Sequence, residues 1–181
     1  MLSLIKERRS IRIFQDREIE PEKINQIIQA ALLSPSSKNN HPWKFIVIDD
    51  KAILSRLSQA KEQGSKFLAK SSLVIAILAD PKQSDVWVED ASIAATLIIL
   101  TAQHLGLGSC WVQLRKRHTS TGQDSEEYVK GLLKIPDNLR VLCLVAIGYT
   151  GEIKSEKNIP KQKLDDIFLN YYEKKYSSVE Q

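Results

Sequence analysis

Four segments carry side chains whose types and spacing could do chemistry. The first is Arg8-Arg9-Ser10-Ile11-Arg12-Ile13-Phe14. An extended backbone over 10–14 alternates its side chains, setting Ser10 and Arg12 on one face and Ile11 and Ile13 on the other. Arg8 can join the polar face. Two guanidiniums and a hydroxyl converging there suit a phosphate or the polar edge of a ring, the rival reading being a solvated basic face. The second, Ser34 to Trp43 (SPSSKNNHPW), places short hydroxyls and amides between two prolines. That is a rigid array of donors and acceptors, or a plain helix-to-strand connection. The third, Ile159-Pro160-Lys161-Gln162-Lys163-Leu164, sets two lysines on one face if extended, or is a solvated tail. The fourth, Gly106-Leu107-Gly108-Ser109-Cys110-Trp111, superficially matches a dinucleotide-binding glycine loop. It follows a helical pattern and precedes a strand, the reverse of that motif's order, and Trp111 stands where a glycine is needed. Tight backbone packing is the better reading of it.

Other chemistries find little support. Cys110 could act as a nucleophile with His41, His104 or His118, but a cysteine in an apolar strand is usually inert core. The chain has two Cys and no CxxC or HExxH, which argues against a disulfide scaffold and a structural zinc site. The three His show no metal spacing. The net charge is +4 and the pI about 9.0. Basic residues gather at Lys6/Arg8/Arg9/Arg12, at Arg115/Lys116/Arg117 and at Lys161/Lys163. Aromatic residues are 7% and do not interleave with them, and no RNA-binding or zinc-finger pattern occurs. A phosphorylated small ligand therefore fits the charge better than nucleic acid. The N-terminal MLSLIKERRSIRIF meets charge too early for a secretory signal. The uncharged run 91–105 is shorter than the ~20 residues that span a bilayer. The expectation is a soluble cytoplasmic protein with no membrane partner.

Length predicts one domain over 1–181, with a C-terminal arm from about 153. The elements that must position the four segments are legible. Helices are expected at 2–8, from Glu20-Pro21-Glu22 to Ser34, at 51–60, at 84–105 and at 125–133, by apolar spacing and by Pro at a first turn. Strands are expected at 43–48, 73–79, 109–114 and 141–147; the unbroken apolar runs LVIAILA and VLCLVAI suit strands buried on both faces. Helices alternate with strands, which reads as an α/β or α+β sheet between helices. The arm carries Phe168, Leu169, Tyr171, Tyr172 and Tyr176, enough apolar anchors to pack on a partner subunit.

Taken together and in order, RRSIRIF at 8–14, SPSSKNNHPW at 34–43, GLGSCW at 106–111, AIGYTGE at 146–152 and IPKQKL at 159–164 resemble the FMN-dependent nitroreductase family. The resemblance spans essentially the whole chain. It implies an α+β fold: a three-layer α/β/α sandwich around a mostly antiparallel central sheet, with the C-terminal arm crossing to the partner of a homodimer. It implies two FMN molecules at the dimer interface. On that pattern Arg8 and Ser10 bind the FMN phosphate, with Lys161 and Lys163 completing its site, and Arg9 is a further cofactor-binding residue. Arg12 reaches the pyrimidine side of the flavin, where a cation favours the negative charge of the reduced ring. Pro35, Ser36, Ser37 and Asn39 belong to the loop that the partner lends to the ring. The backbone of Trp111, Val112 and Gln113 passes near N5, and Gly148 lies near the phosphate. His41, Gln113 and Leu114 depart from residues common in the family, and 111–130 is short for the helical lid of larger members. The implied activity is ping-pong hydride transfer from NADH or NADPH through flavin N5 to nitroaromatics, quinones or similar conjugated acceptors, with no side-chain general acid. The alternative is a flavin-binding protein that stores or senses FMN without turnover.

Overall fold

The computed structural model of the chain describes residues 1–158 and 165–176. Four strands, β1 (Trp43–Ile48), β2 (Leu73–Ala79), β3 (Gly108–Gln113) and β4 (Arg140–Gly148), form one sheet in the order β1-β2-β4-β3. Every neighbouring pair is antiparallel. The alternation of helices and strands in the sequence left a parallel α/β sheet open, and the register settles it as α+β. The ambiguity has a physical cause. Unbroken apolar strands usually mark parallel sheets because those are covered on both faces. Here an antiparallel sheet is covered on both faces too, so β2 is buried along its whole length and shows no polar alternation.

Strand periodicity divides the core in two. On one face Val74, Ala76 and Leu78 of β2, Leu144 and Ala146 of β4 and Val112 of β3 pack under α3 (Lys51–Leu57), a 3-10 turn at Lys66–Lys70, and α5 (Ser125–Leu133). On the other, Leu73, Ile75 and Ile77 of β2 and Cys143, Val145 and Ile147 of β4 meet α2 (Pro21–Leu32) and α4 (Trp87–His104). The buried Ala91, Ala94, Ala95 and Ala102 let α4 lie close to its neighbours. No helix among the described residues is long and apolar enough to cross a membrane.

The helix expected over 51–60 stops at Leu57. The buried Ser65 hydroxyl donates to the Ser58 carbonyl at 2.8 Å and accepts from Lys61 N–H at 3.2 Å, folding 58–65 back on itself. A serine side chain competing for backbone partners ends the helix that apolar spacing would continue.

The site depends on the segment after α1 (Leu2–Glu7). Ile11 N–H donates to Ser109 O at 2.9 Å, and Ser10 forms a parallel bridge with Ser109. Three residues on, Phe14 bridges Thr150, and Gln15 N–H donates to Tyr149 O. The segment thus changes partner from β3 to the chain beyond β4. This overturns the expected alternation: Ile11 and Phe14 are buried, whereas Ile13 is 57% exposed. A two-residue repeat holds only while a strand keeps one neighbour.

Candidate functional site

Arg8 caps the C-terminus of α1 in extended conformation, half-buried. Ser10 follows, bridged to Ser109 of β3, and Arg12 then donates its backbone N–H to Glu152 beyond β4. Cys110 beside Ser109 on β3 is buried, and Arg12, Lys154 and Arg8 are the cations whose charge bears on its thiol. Burial pushes that thiol up from its ordinary pKa, and Arg12, Lys154, Ser10 and Arg8 only partly oppose this. Cys110 is therefore a neutral thiol, not an activated nucleophile. Cys143 is raised further by burial alone.

Glu152 fixes the backbone of this cationic face. Its carboxylate accepts from Arg12 N–H at 2.6 Å, Ile13 N–H at 3.2 Å and Lys154 Nζ at 3.1 Å. The Arg12 and Ile13 N–H groups and Lys154 hold its pKa below the usual carboxylate range, with Arg12 contributing most. Lys154 also donates to the Ser10 carbonyl at 2.5 Å. The Arg9 guanidinium donates to the Ser155 carbonyl. Among the described residues no carboxylate pairs with the Arg8 or Arg12 guanidinium.

β3 is a sheet edge, and Ser109 O spends its outward group on Ile11. Antiparallel alternation then turns the backbone groups of Trp111 and Gln113 toward the same open edge. Trp111 Nε1 donates to Gln113 Oε1 at 2.9 Å, and Gln113 Nε2 to Arg115 O at 3.0 Å, so both side chains are held. Val112 has its side chain buried in the core, and by the same alternation its backbone faces β4. Gly148 makes room for Phe14: a Cβ there would sit 2.9 Å from Phe14 Cδ1.

The 34–43 loop lies elsewhere. It holds a 3-10 turn at Ser37–Asn39, with Lys38, Asn39 and His41 at positive φ. The buried Asp90, in the first turn of α4, accepts from Ser37 N–H at 2.8 Å and Ser84 Oγ at 2.7 Å. Ser36 Oγ accepts from His41 N–H at 3.0 Å, and Pro35 and Asn39 are exposed. The loop enters β1, one edge of the sheet, whereas Ser10, between Arg8 and Arg12, is bridged to β3, the other. Three strand spacings, about 14 Å, separate these edges. One chain thus brings the arginines, Ser10 and the β3 edge together and leaves Pro35, Ser36, Ser37 and Asn39 apart. Lys161 and Lys163 lie outside the described residues.

Sequence reasoning missed Glu152, Lys154 and Asp90. Glu152 stands in the AIGYTGE segment, but its partner Arg12 is 140 residues away, so no local spacing reveals the contact. It also missed a cluster at Tyr149, whose hydroxyl donates to Glu20 at 2.6 Å and accepts from Lys23 at 2.8 Å, with Arg17 3.7 Å over the ring.

A cationic face on one open strand edge, with a polar loop on the opposite edge of an antiparallel sheet, defines a fold shared with known proteins. The model of the nitroreductase family matches residues 5–73 and 59–149. A protein of Archaeoglobus fulgidus named "Putative NADH dehydrogenase/NAD(P)H nitroreductase" is 39% identical over 92% of each chain. Among solved structures, an FMN-dependent nitroreductase from Clostridium difficile R20291 is 44% identical with a TM-score of 0.90, covering 95% of this chain and 100% of that one. A nitroreductase family protein from Clostridium novyi NT is 31% identical with a TM-score of 0.75, covering 83% and 85%. The chain belongs to the nitroreductase family.

Proposed function

We propose that the protein is an FMN-dependent oxidoreductase that takes electrons from NADH or NADPH and passes them to nitroaromatics, quinones or similar conjugated acceptors. The observation that carries this is the unneutralised cationic face of Arg8, Ser10 and Arg12 on the open edge of β3. Unpaired guanidiniums beside a hydroxyl and free strand backbone suit a phosphate at one end and a polar ring edge at the other. The names of the relatives above support the same cofactor and donor. When bound, FMN supplies the hydride chemistry.

The chain's own residues bind and orient. Arg8 and Ser10, with Arg9, Lys161 and Lys163, serve the phosphate. Arg12 lies toward the pyrimidine edge, where a fixed cation favours a more electron-rich ring. The outward backbone of Trp111 and Gln113 borders the ring's reactive edge, and Gly148 closes the phosphate end. Within the described residues no helix stands between Gln113 and Ser125, which leaves the approach to that edge open to acceptors of varied shape.

The working unit is a homodimer. Pro35, Ser36, Ser37 and Asn39 precede β1, on the opposite sheet edge from Ser10, and a second copy supplies them to the ring. The surface suits this. A cavity of about 490 Å³ between α1 and α4 is lined by Met1, Leu4, Leu97 and Leu100, beside the exposed Leu2 and Ile5. Tyr171 and Tyr172 of the C-terminal arm are exposed as well.

The test is an absorbance spectrum of the purified protein, followed by anaerobic addition of NADH or NADPH. Flavin bands that bleach support the reductase. Flavin bands that persist with both donors point to flavin storage or sensing instead. Failure to bind supplied FMN removes the proposal.

A further inference from the structure

A second basic pocket lies beside the proposed flavin site. A cavity of about 430 Å³ is lined by Lys61, Glu62, Gln63, Lys116, Arg117 and His118. Three cations face one carboxylate, and among the described residues none of the three is in an ion pair. Three cations against one carboxylate leave an excess of positive charge, which repels itself and attracts an anion.

The pocket is built from held backbone. Glu62 N–H donates to His118 O at 3.0 Å, joining the two loops that form it. The fully buried Ser65 hydroxyl anchors the turn bearing Lys61. Arg117 N–H donates to Leu114 O at 2.9 Å, closing a tight turn with Lys116 at φ 59°. A lysine held in the left-handed region, where glycine would be unstrained, is a cost carried in the backbone. Burial first, and then Arg117, push the Lys61 ammonium below its ordinary pKa.

Its position ties it to the site. Lys116 is three residues beyond Gln113, at most about 11 Å along the chain. The two cationic groups therefore flank β3, one at each end of the proposed flavin edge.

We propose that Lys61, Lys116, Arg117 and His118 form a phosphate subsite for the 2′-phosphate of NADPH, held while the nicotinamide stacks at the β3 edge, so that the enzyme prefers NADPH to NADH. This rests on the oxidoreductase reading above. The planar guanidinium of Arg117 suits two-pronged contact with a phosphate, and the lysines add point charges. NADH lacks that dianion and leaves the cluster unneutralised.

The experiment uses the FMN-loaded protein and a Lys116→Gly, Arg117→Gln variant. Glycine keeps the left-handed turn while removing the charge, and Lys61→Gln is the second variant should the first fail to fold. The expected kcat/KM is at least about tenfold higher for NADPH than for NADH, and the variant loses most of that advantage through KM. The advantage also shrinks as salt is raised. A ratio near one in the native protein, or a ratio that the variants leave unchanged, overturns the subsite. If neither nucleotide bleaches the flavin, the oxidoreductase reading fails and the pocket is judged by binding of 2′,5′-ADP against 5′-AMP. Selective 2′,5′-ADP binding that the variant loses upholds a 2′-phosphate site, and equal or absent binding removes it.

Discussion

Replacing Gly108 by alanine tests whether close packing of the arginine segment on β3 sets the proposed site. An added Cβ would sit 2.9 Å from Cβ, Cγ1 and Cγ2 of Ile11. Rotating the Ile11 side chain cannot relieve this, because its Cβ is fixed to the backbone. The segment must move by roughly 0.7–1 Å to reach ordinary carbon–carbon contact. That stretches the 2.9 Å bond from Ile11 N–H to Ser109 O beyond hydrogen-bonding range. Overpacking costs about 1–3 kcal/mol, and the lost bond adds about 1 kcal/mol. The stiffer unfolded chain returns about 0.4–1 kcal/mol, for a net destabilisation of about 1–4 kcal/mol. Ser10 and Arg12 flank Ile11, so FMN affinity should fall by about tenfold, equivalent to about 1.4 kcal/mol. Urea unfolding and flavin-fluorescence titration measure the two effects. Ile11→Ala is destabilising by itself, by about 2–5 kcal/mol, yet in the Gly108→Ala background it removes the contacts with Cγ1 and Cγ2, leaving the one with Cβ. The two substitutions should therefore couple by about 0.5–3 kcal/mol. Additive effects, or a Gly108→Ala protein with native stability and FMN affinity, would refute the reasoning.

Asp90→Ala leaves the Ser37 N–H and the Ser84 hydroxyl without their acceptor in a buried place. At about 1–3 kcal/mol for each unpaired group, it should destabilise the fold by about 2–6 kcal/mol and speed FMN release; native off-rates would show that Asp90 does not hold the 36–41 loop for the cofactor. The Tyr149 hydroxyl is the largest of the causes that bring the Glu20 pKa down from 4.5 to about 2. A depressed carboxylate contributes stability that is complete above 4.5 and is lost as pH falls toward 2. Tyr149→Phe should flatten that part of a Tm-against-pH curve, and an unaltered acid limb would contradict the assignment.

Much of the fold is legible locally. Apolar spacing marks α2 and α5, and the runs LVIAILA and VLCLVAI mark β2 and β4. Direction is not, because a strand buried on both faces presents the same side chains whether its neighbour is parallel or antiparallel. The end of α3 was hidden in the same way, since Ser65 acts from seven residues beyond Ser58.

The candidate site divides along the same line. The types and order of Arg8, Ser10, Arg12 and the 34–43 loop stand in the sequence, because charge and donor chemistry belong to residues themselves. Their arrangement belongs to the tertiary structure. Only the paired strands bring Glu152 and Lys154 to the backbone of residues 10–13, place Lys61 near Arg117, and send the 34–43 loop to the opposite edge. Those contacts join residues scores of positions apart, and such distances close only when burial of the two apolar faces outweighs the chain entropy of bringing them together.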